Sequence, residues 1–420
     1  MLTIAVIGLG SRGLHYAKLS AQRGGVRFNA LCDINPGKLK NAVAELPARD
    51  ARLFEKEEEF FEAGKLADVL YICTQDRDHY RQAIRGLELG YHILMEKPVS
   101  PDPLDCIKIA QKAEETGRQV FVCHVLRYSA FYRRIKEVIE KGLLGDIMLL
   151  SHNEHIGYWH FAHSYVRGNW RREEETTPML MAKCCHDMDL LSWWLGSCDS
   201  VSSFGGLTWF TEKNAPIDAA VFCKDCPLSD SCLYYAPAQY LSLNGNRPRF
   251  PWGAYALTAS RDEKDILKAA LNGPYGRCVF HCDNDVCDRQ SAQLLFRHDG
   301  KEVPVQFTVS AFSNECYRNT HVFGTKGELW GDDASETLTL QLFGKEPETL
   351  SLSLAQEGSY GGGHAGGDNG LIADVLDYLE GKDVPLSRLT PIRETIESHL
   401  IVEACEKSRK AGGIQISVHG

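Results

Sequence analysis

The fold is decided near the start of the chain by the sequence Ile4-Ala5-Val6-Ile7-Gly8-Leu9-Gly10-Ser11-Arg12-Gly13. Its apolar, mostly β-branched beginning predicts a buried parallel strand, and residues 14–21 predict a helix behind it. Gly-x-Gly-x-x-Gly between a strand and a helix is typical of a dinucleotide-binding site. In that setting Gly8 allows the tight turn, Gly10 lets the backbone approach a pyrophosphate, and Gly13 lets the helix pack closely on the strand.

An acidic residue supports the same interpretation. The next predicted strand, residues 26–32, ends at Asp33, about twenty residues after the glycine turn. A carboxylate in this position binds the ribose hydroxyls and repels a 2′-phosphate, so the sequence predicts NAD as the cofactor, with NADP less favoured. The amides of Ser11 and Arg12, at the start of the helix, are expected to bind the phosphates. The alternative is an ordinary strand–helix turn followed by a surface aspartate.

Composition limits the class of protein. A chain of 420 residues is too long for one typical domain, so two domains are expected. The hydrophobic content of 44% and the charged content of 24% are ordinary for a globular protein. A net charge of −10 without a basic block argues against a nucleic-acid partner. No apolar run is long enough to span a membrane and no signal-peptide pattern is present, which favours a cytoplasmic protein.

Predicted strands and helices alternate over residues 1–123. This alternation predicts a doubly wound parallel sheet, that is, an NAD-binding Rossmann domain of the α/β class. Ligands of such sheets bind at the carboxyl ends of the strands. Residues with chemically useful side chains directly follow several strands and are expected to converge there: Thr74, Glu96, Lys97 and His124.

Residues 124–420 are expected to form a second domain, of the α+β class. Strand-like runs joined by short turns predict a large, mostly antiparallel sheet. These runs cover residues 146–156, 291–296, 303–312, 321–324 and 337–343. Helices are predicted at 131–141, 178–195 and about 369–410. Asp368 or Asn369 is a plausible N-cap of the first helix in the last of these ranges. An insert-like stretch lies at about 211–277.

The 15 cysteines suggest reduced thiols and a possible metal site. Cys223, Cys226 and Cys232 have a spacing that suits tetrahedral zinc–thiolate coordination. We expect Cys282 as the fourth ligand, with Cys278, Cys287 or His281 as alternatives. A zinc ion there would be structural and would stabilise the insert. Pro227 and the short spacing also resemble iron–sulfur ligation, and three free thiols are the third possibility.

Five segments occur in the order typical of one family: Gly8–Gly13, Cys73–Tyr80, Glu96-Lys97-Pro98, Arg127-Tyr128 and His186–Asp189. On these segments the chain resembles the glucose–fructose oxidoreductase, inositol dehydrogenase and rhizopine-catabolism (Gfo/Idh/MocA) family. The resemblance implies a Rossmann domain followed by an α/β domain with an open antiparallel sheet, so that residues 124–420 would serve substrate binding and oligomerisation. It also implies NAD(P)-dependent chemistry on sugars or cyclitols and a homodimer or homotetramer.

The resemblance also implies the catalytic residues. Lys97, followed by a cis Lys97–Pro98 bond, is expected to act as an acid or base, because burial and nearby cations lower the pKa of a lysine. His186 is expected to contact the substrate hydroxyl, because imidazole titrates near neutrality. Asp187 and Asp189 are candidates to orient it. The alternatives are a solvated lysine and a core histidine.

Further contacts follow from the same resemblance. The implied cofactor-binding residues beyond the glycine turn and Asp33 are Thr74, Gln75, His79, Glu96 and Lys97. The implied substrate-binding residues are Arg127, Tyr128, Lys183, Asp189, His364 and Asp368. Arg127 and Tyr128 could instead pack the domain junction, Lys183 could form a structural ion pair, and the glycine loop around His364 could be only a flexible connection.

Two departures from the family pattern leave the reaction open. Ala182 occupies the position four residues before His186 where dehydrogenases of the family often carry Asp, and the insert is unusual. The preferred function is hydride transfer between NAD and a hydroxyl carbon of a sugar, sugar derivative or cyclitol. The alternative is an NAD-dependent glycosidase or lyase that oxidises its substrate transiently to a ketone and then eliminates the leaving group. A non-catalytic sensor on the same fold is disfavoured by the intact Glu96-Lys97-Pro98 and His186.

Overall fold

The computed structural model describes residues 1–243, 248–352 and 366–420. Within these ranges the strands form one sheet of six strands and one of nine. His364 and most of the glycine loop lie outside the described residues. No helix in the described ranges combines the length and apolarity that crossing a membrane requires.

The first sheet is parallel, as the sequence predicts, with the strand order β3-β2-β1-β4-β5-β6. The strands are β1 Leu2–Ile7, β2 Val26–Cys32, β3 Arg52–Phe54, β4 Val69–Ile72, β5 His92–Met95 and β6 Val120–Val122. The helices between them are α1 Ser11–Arg23, α2 Pro36–Glu45, α3 Glu57–Glu62, α4 His79–Glu88 and α5 Pro103–Thr116. The order reverses between β1 and β4, which creates a ligand crevice at their carboxyl ends.

The burial of the central strands explains why they form a parallel sheet. All four residues of β4 are buried, as are the last four residues of β1, so these strands show no alternation of polar and apolar positions. Strands covered by helices on both faces have this pattern. The glycine turn after β1 is therefore attached to a rigid, solvent-excluded support.

The second sheet is mixed, with the order β14-β13-β12-β11-β7-β10-β9-β8-β15. Its strands are β7 Ile147–Gly157, β8 Ser197–Gly206, β9 Arg289–His298, β10 Lys301–Ser313, β11 Tyr317–Gly324, β12 Gly327–Asp332, β13 Thr337–Leu342, β14 Glu348–Thr349 and β15 Ile416–Ser417. The pairs are antiparallel except for the central pair of β7 and β10, which is parallel. The predicted, mostly antiparallel sheet is confirmed.

Helices cover one face of this sheet. The helices after the first domain are α6 Ala130–Glu140, α7 Tyr158–Phe161, α8 Met179–Leu195, α9 Ala236–Tyr240, α10 Ala254–Leu257, α11 Glu263–Asn272, α12 Gly367–Leu379 and α13 Ile392–Lys410. α8 and α13 pack on each other and on the sheet. The opposite face, which we call the outer face, exposes Leu149, Phe204 and Phe312.

Some local predictions were wrong or incomplete. The N-cap of α12 is Gly366, in the left-handed region at φ +81°, and not Asp368 or Asn369. Asp368 lies in the first turn of α12, where its carboxylate binds Arg12. β8 and β12 were not predicted, and the insert contains the regular helix α11.

Candidate active site

The glycine turn has the geometry that a dinucleotide requires. Gly8 has φ +87°, and a Cβ atom there would lie 2.4 Å from the carbonyl oxygen of Cys73. A Cβ on Gly13 would lie 1.9 Å from the carbonyl oxygen of Gly8, so the close packing of α1 on the turn excludes any side chain. By contrast, a Cβ on Gly10 would meet no atom within 4 Å among the described residues. No described side chain caps the start of α1. The space there and over Gly10 fits a pyrophosphate.

Asp33 is fixed beside this turn at the end of β2. One oxygen of its carboxylate accepts the Leu9 N–H at 2.7 Å, and the other accepts the Asn35 N–H at 2.8 Å. The side chain is only 8% exposed, so these two hydrogen bonds hold the carboxylate at the edge of the crevice. The binding of the ribose hydroxyls by Asp33 and the preference for NAD over NADP stay predictions.

Arg12 joins three parts of the chain at the crevice. Its guanidinium donates to Glu96 at 2.9 Å, to Asp368 at 2.5 Å and to the hydroxyl of Tyr16. Burial raises the pKa of Glu96, but Arg12 and Lys97 together hold this pKa below its ordinary value. His15 also lies 3.2 Å from Asp368. The predicted cofactor and substrate roles of Arg12, Glu96 and Asp368 stay predictions, and the structure shows that these charges bind one another.

The segment after β4 contains three of the predicted cofactor residues. Thr74 donates its hydroxyl to Gln82 at 2.6 Å, and Gln75 is exposed. His79 is buried, with one ring nitrogen 2.8 Å from the carbonyl oxygen of Pro98 and the other 3.3 Å from that of Thr74. His79 therefore ties the turn after β4 to the turn after β5.

Lys97 connects the two domains. The Lys97–Pro98 peptide bond is cis, which confirms the expectation from the family resemblance. The half-buried side chain extends across the crevice, and its Nζ donates to the carbonyl oxygen of Ala182 in α8 at 2.7 Å. A charged donor from the first domain is thereby placed against the helix that carries His186.

His186 lies on α8 one helical turn after Ala182 and is 5% exposed. Its ring packs edge-to-face on the ring of His124, with 5.6 Å between the centroids. Burial, reinforced by Arg127 and Lys97, lowers the pKa of His124 well below its ordinary value. His124 is therefore neutral at neutral pH. The structure brings His124, His186 and Lys97 into one region, as the positions after strands suggested for His124 and Lys97.

Asp76 also belongs to this region, although the sequence analysis did not select it. It is 2% exposed and accepts hydrogen bonds from the indole of Trp170 at 3.1 Å and the hydroxyl of Thr177 at 3.1 Å. Burial raises the pKa of Asp76, and His79 and Lys97 oppose that shift. Its position directly after β4, where ligands of a doubly wound sheet bind, was the signal that could have identified it.

Arg127 and Tyr128 lie at the domain junction. The guanidinium of Arg127 forms two hydrogen bonds of 2.7 Å with Asp189 and also binds Glu394 of α13. The Tyr128 hydroxyl lies 3.4 Å from that of Thr390. These contacts favour the alternative of junction packing for Arg127, and they show that Asp189 is engaged by Arg127. The substrate-binding role of these residues stays a prediction.

Lys183 belongs to a buried network of charges. Its Nζ lies 3.3 Å from Glu154. Burial lowers the pKa of Lys183, but Glu154, Cys316 and Asp187 together hold this pKa above its ordinary value. Arg318 lies 2.6 Å from Glu154 and 2.7 Å from Asp187. Asp187 also contacts His152 at 3.0 Å. The network thus contains two carboxylates and two permanent cations.

The zinc prediction is not supported by the structure. No group of three or more His, Cys, Asp or Glu side chains in the described ranges is arranged to hold a metal ion. The thiol of Cys223 lies 3.8 Å from the guanidinium of Arg167, and that of Cys282 lies 3.2 Å from the carbonyl oxygen of Cys278. Burial raises the pKa of Cys282 to about 11, so this thiol is protonated at neutral pH. Neither Cys226 nor Cys232 joins them in a ligating cluster.

Comparison with known proteins agrees with this architecture. Among curated proteins, the putative oxidoreductase YteT of Bacillus subtilis is 25% identical over 92% of this chain and 90% of its own length. Glycosyl hydrolase family 109 protein 2 of Phocaeicola vulgatus is 28% identical over 35% of this chain and 37% of its own length. Inositol 2-dehydrogenase of Burkholderia ambifaria is 28% identical over 46% of this chain and 55% of its own length. The chain thus spans about a third to a half of the last two proteins.

Solved structures share the whole fold. The WlbA dehydrogenase of Bordetella pertussis, in complex with NADH and UDP-GlcNAcA, covers 99% of this chain and 98% of its own, at a TM-score of 0.65 and 19% identity. The family model described as "Oxidoreductase family, NAD-binding Rossmann fold" matches residues 2–124. The model described as "Oxidoreductase family, C-terminal alpha/beta domain" matches residues 136–418. The chain therefore belongs to the Gfo/Idh/MocA oxidoreductase family and is an NAD-binding oxidoreductase of that type.

Proposed function

We propose that this protein transfers a hydride between NAD and a hydroxyl carbon of a sugar, a sugar derivative or a cyclitol. The proposal rests chiefly on the contact of Lys97 Nζ with the carbonyl oxygen of Ala182. This contact places a proton-carrying group of the cofactor domain one helical turn from His186. Two groups that can handle the proton of a hydroxyl are thereby held at the same crevice.

Different residues of the chain would bind the cofactor and transfer the proton. The glycine turn and the start of α1 would hold the pyrophosphate, and Asp33 would hold the adenosine ribose. When bound, NAD supplies the acceptor or donor of the hydride. Lys97 and His186 would take the hydroxyl proton during oxidation and return it during reduction. Neutral His124 packs on His186 and limits the orientations of its ring.

Removing the two proton-carrying groups tests this assignment. Lys97→Met keeps the length of the side chain, and His186→Asn keeps a polar side chain. We expect each to lower kcat by about 100-fold or more, since general acid–base catalysis contributes about 10²–10⁴-fold. NAD affinity, measured by titration of protein fluorescence, should change little in His186→Asn. Lys108→Met, at an exposed position of α5, is the matched control and should keep full activity. Wild-type kcat in both site variants would refute the assignment.

A second candidate function is NAD-dependent glycoside cleavage. It is favoured by the match with the glycosyl hydrolase family 109 protein and by Ala182 at the position where dehydrogenases of the family often carry Asp. In this reaction a hydroxyl carbon of the sugar is oxidised to a ketone, which acidifies the adjacent C–H. Loss of that proton expels the aglycone, water adds to the double bond, and the returned hydride reduces the ketone. The sum is hydrolysis without net oxidation.

One experiment separates the two functions. The protein is incubated with NAD and a panel of free sugars, cyclitols and aryl glycosides, and both NADH and released aglycone are recorded. Accumulation of NADH in step with substrate loss supports the dehydrogenase and refutes the glycosidase. Release of aglycone without net NADH, lost when NAD is removed and regained when it is added back, supports the glycosidase.

We further propose that two or four copies associate through the outer face. This face lies opposite the helical layer and exposes Leu149 and the aromatic rings of Phe204 and Phe312. Apolar surface of this kind is stabilised when another surface covers it.

A further inference from the structure

Part of the insert lies on the cofactor domain. Residues 254–261, which we call the clasp, begin with α10 and continue along α2. Tyr255 donates its hydroxyl to the carbonyl oxygen of Leu9 at 3.4 Å. Asn41 of α2 donates its amide to the carbonyl oxygen of Ala259 at 2.8 Å. Arg261 lies 3.1 Å from Glu45, at the end of α2. The clasp thus contacts the glycine turn and two positions of α2.

Tyr255 is the main side chain of this contact. It is 7% exposed and packs into the apolar cluster of the first domain, which includes Leu9 and Leu39. The guanidinium of Arg261 lies 4.7 Å from the centre of its ring, and the ammonium of Lys38 lies 5.8 Å from it. Both distances are in the range of cation–π attraction. The ring is therefore held from the insert and from α2 at once.

The clasp reaches the residues that would bind the adenosine half of NAD. Leu9 lies between Gly8 and Gly10, and its N–H donates to Asp33 while its carbonyl oxygen accepts from Tyr255. A Cβ on Gly37, in the first turn of α2, would lie 3.1 Å from the Cβ of Ala259. Ile34, next to Asp33, remains 88% exposed, so the clasp does not fill the space beside the carboxylate. The clasp therefore lies beside the residues that are predicted to bind the adenosine half of NAD and does not cover Ile34.

We propose that the clasp retains NAD by fixing the wall of its adenosine site, because its contacts hold Leu9 and α2 in the arrangement that binds the adenosine half. Loss of these contacts would let the wall move and NAD leave faster. A site whose wall comes from a distant part of the chain opens only when several contacts break together. Such a requirement acts mainly on the dissociation rate, which is where related binding sites differ most. The proposal concerns binding of NAD and does not depend on which substrate is used.

The test measures the dissociation rate of NADH directly. The protein is loaded with NADH, excess NAD is added in a stopped-flow instrument, and the loss of NADH fluorescence gives the rate. Tyr255→Ala removes the ring, and Tyr255→Phe removes only the hydroxyl. Asn41→Ala removes the hydrogen bond to Ala259 and the contact of Asn41 with the Tyr255 hydroxyl, but keeps the ring. Tyr235→Ala is the matched control, because Tyr235 is a half-buried tyrosine of the same insert that lines a separate cavity of about 270 Å³.

We expect Tyr255→Ala to raise the dissociation rate about tenfold or more, and Tyr255→Phe and Asn41→Ala to raise it less. Tyr235→Ala should dissociate like the wild type. The proposal is overturned if Tyr255→Ala and Asn41→Ala both keep the wild-type dissociation rate within about twofold. If Tyr255→Ala does not fold, as judged by thermal unfolding without cofactor, the dissociation rates of NADH from Asn41→Ala and Tyr255→Phe test the proposal. Wild-type rates in both of these variants then overturn it.

Discussion

The charge network around Glu154 gives a sharp prediction about Lys183. Glu154 is 1% exposed and lies between Lys183 at 3.3 Å and Arg318 at 2.6 Å. The second carboxylate, Asp187, is fully buried and contacts Arg318. Glu154→Gln therefore leaves two cations with one carboxylate. Lys183→Met leaves Glu154 paired with Arg318, and the double variant leaves the balanced pair of Arg318 and Asp187.

The distances set the scale of the effect. Two unit charges 3.3 Å apart attract by about 5 kcal/mol at an effective dielectric constant of about 20. Removing one partner of a buried pair typically costs about 3–5 kcal/mol, because the other charge stays buried without compensation. At about 2 °C per kcal/mol for a large domain, Glu154→Gln should lower Tm by about 6 °C or more. The double variant should recover a substantial part of that loss.

A double-mutant cycle measured by thermal unfolding checks this prediction. The four proteins are the wild type, Glu154→Gln, Lys183→Met and the double variant. Recovery of Tm in the double variant, relative to the sum of the single variants, shows that Lys183 serves mainly to neutralise Glu154. If the two losses add within about 0.5 kcal/mol, the two side chains are independent. The ion-pair interpretation would then be refuted, and Lys183 would be available for a substrate.

Three further predictions concern pH, the cofactor and assembly. Burial lowers the pKa of His163 and of His399 to about 3, so both are neutral when folded and gain protons on unfolding. The free energy of unfolding should therefore keep its full value above about pH 6.5 and decrease as the pH falls towards 3. Each histidine should contribute at most about 1.4 kcal/mol per pH unit to this decrease. Thermal unfolding at several pH values checks this, and His163→Asn should flatten the slope. Asp33→Ala should weaken NAD binding by about tenfold or more, because the carboxylate that accepts from the ribose hydroxyls is lost. The same variant should reduce the preference of the protein for NAD over NADP, because the carboxylate no longer repels a 2′-phosphate. Calorimetric titration with both cofactors checks these changes. Light scattering should give the mass of two or four chains, and Phe204→Lys with Phe312→Lys should reduce it to one.

The first domain could be predicted because its signals are local. The glycine turn, the apolar run before it and Asp33 lie within one short stretch, and their spacing fixes their arrangement in space. β8 was missed because its sequence, rich in Ser and Gly, has low intrinsic preference for a strand. It forms a strand because it pairs with β9 along its length and packs against α13. Tertiary contacts override local preference there.

The candidate site was predictable in its residue types and much less in its contacts. The sequence identified Lys97, His186, Lys183 and Asp189 as reactive groups in a common region. It could not show which partner binds each one, because Lys97 and Ala182 are 85 positions apart and Arg12 and Asp368 are 356 positions apart. A charge that is already neutralised by a buried partner and one that faces a substrate look the same in a sequence. Only the structure shows that Asp189 binds Arg127.

Of the contacts that join the two domains around the crevice, three explain why catalysis and cofactor binding should respond differently to substitution. Arg12 binds Asp368 of α12, Lys97 binds Ala182 of α8, and Tyr255 of the clasp binds Leu9. The Lys97 contact lies beside the proposed proton-carrying group His186, whereas the Tyr255 contact lies beside the predicted adenosine site. A tightly retained cofactor suits a redox-neutral cycle, because NAD never has to leave, and it slows a dehydrogenase, because NADH must be released in each turnover. If NADH accumulates with substrate and Tyr255→Ala raises kcat, release of the cofactor limits a dehydrogenase. If aglycone is released without NADH and Tyr255→Ala leaves kcat unchanged while it loses cofactor faster, the clasp serves a glycosidase.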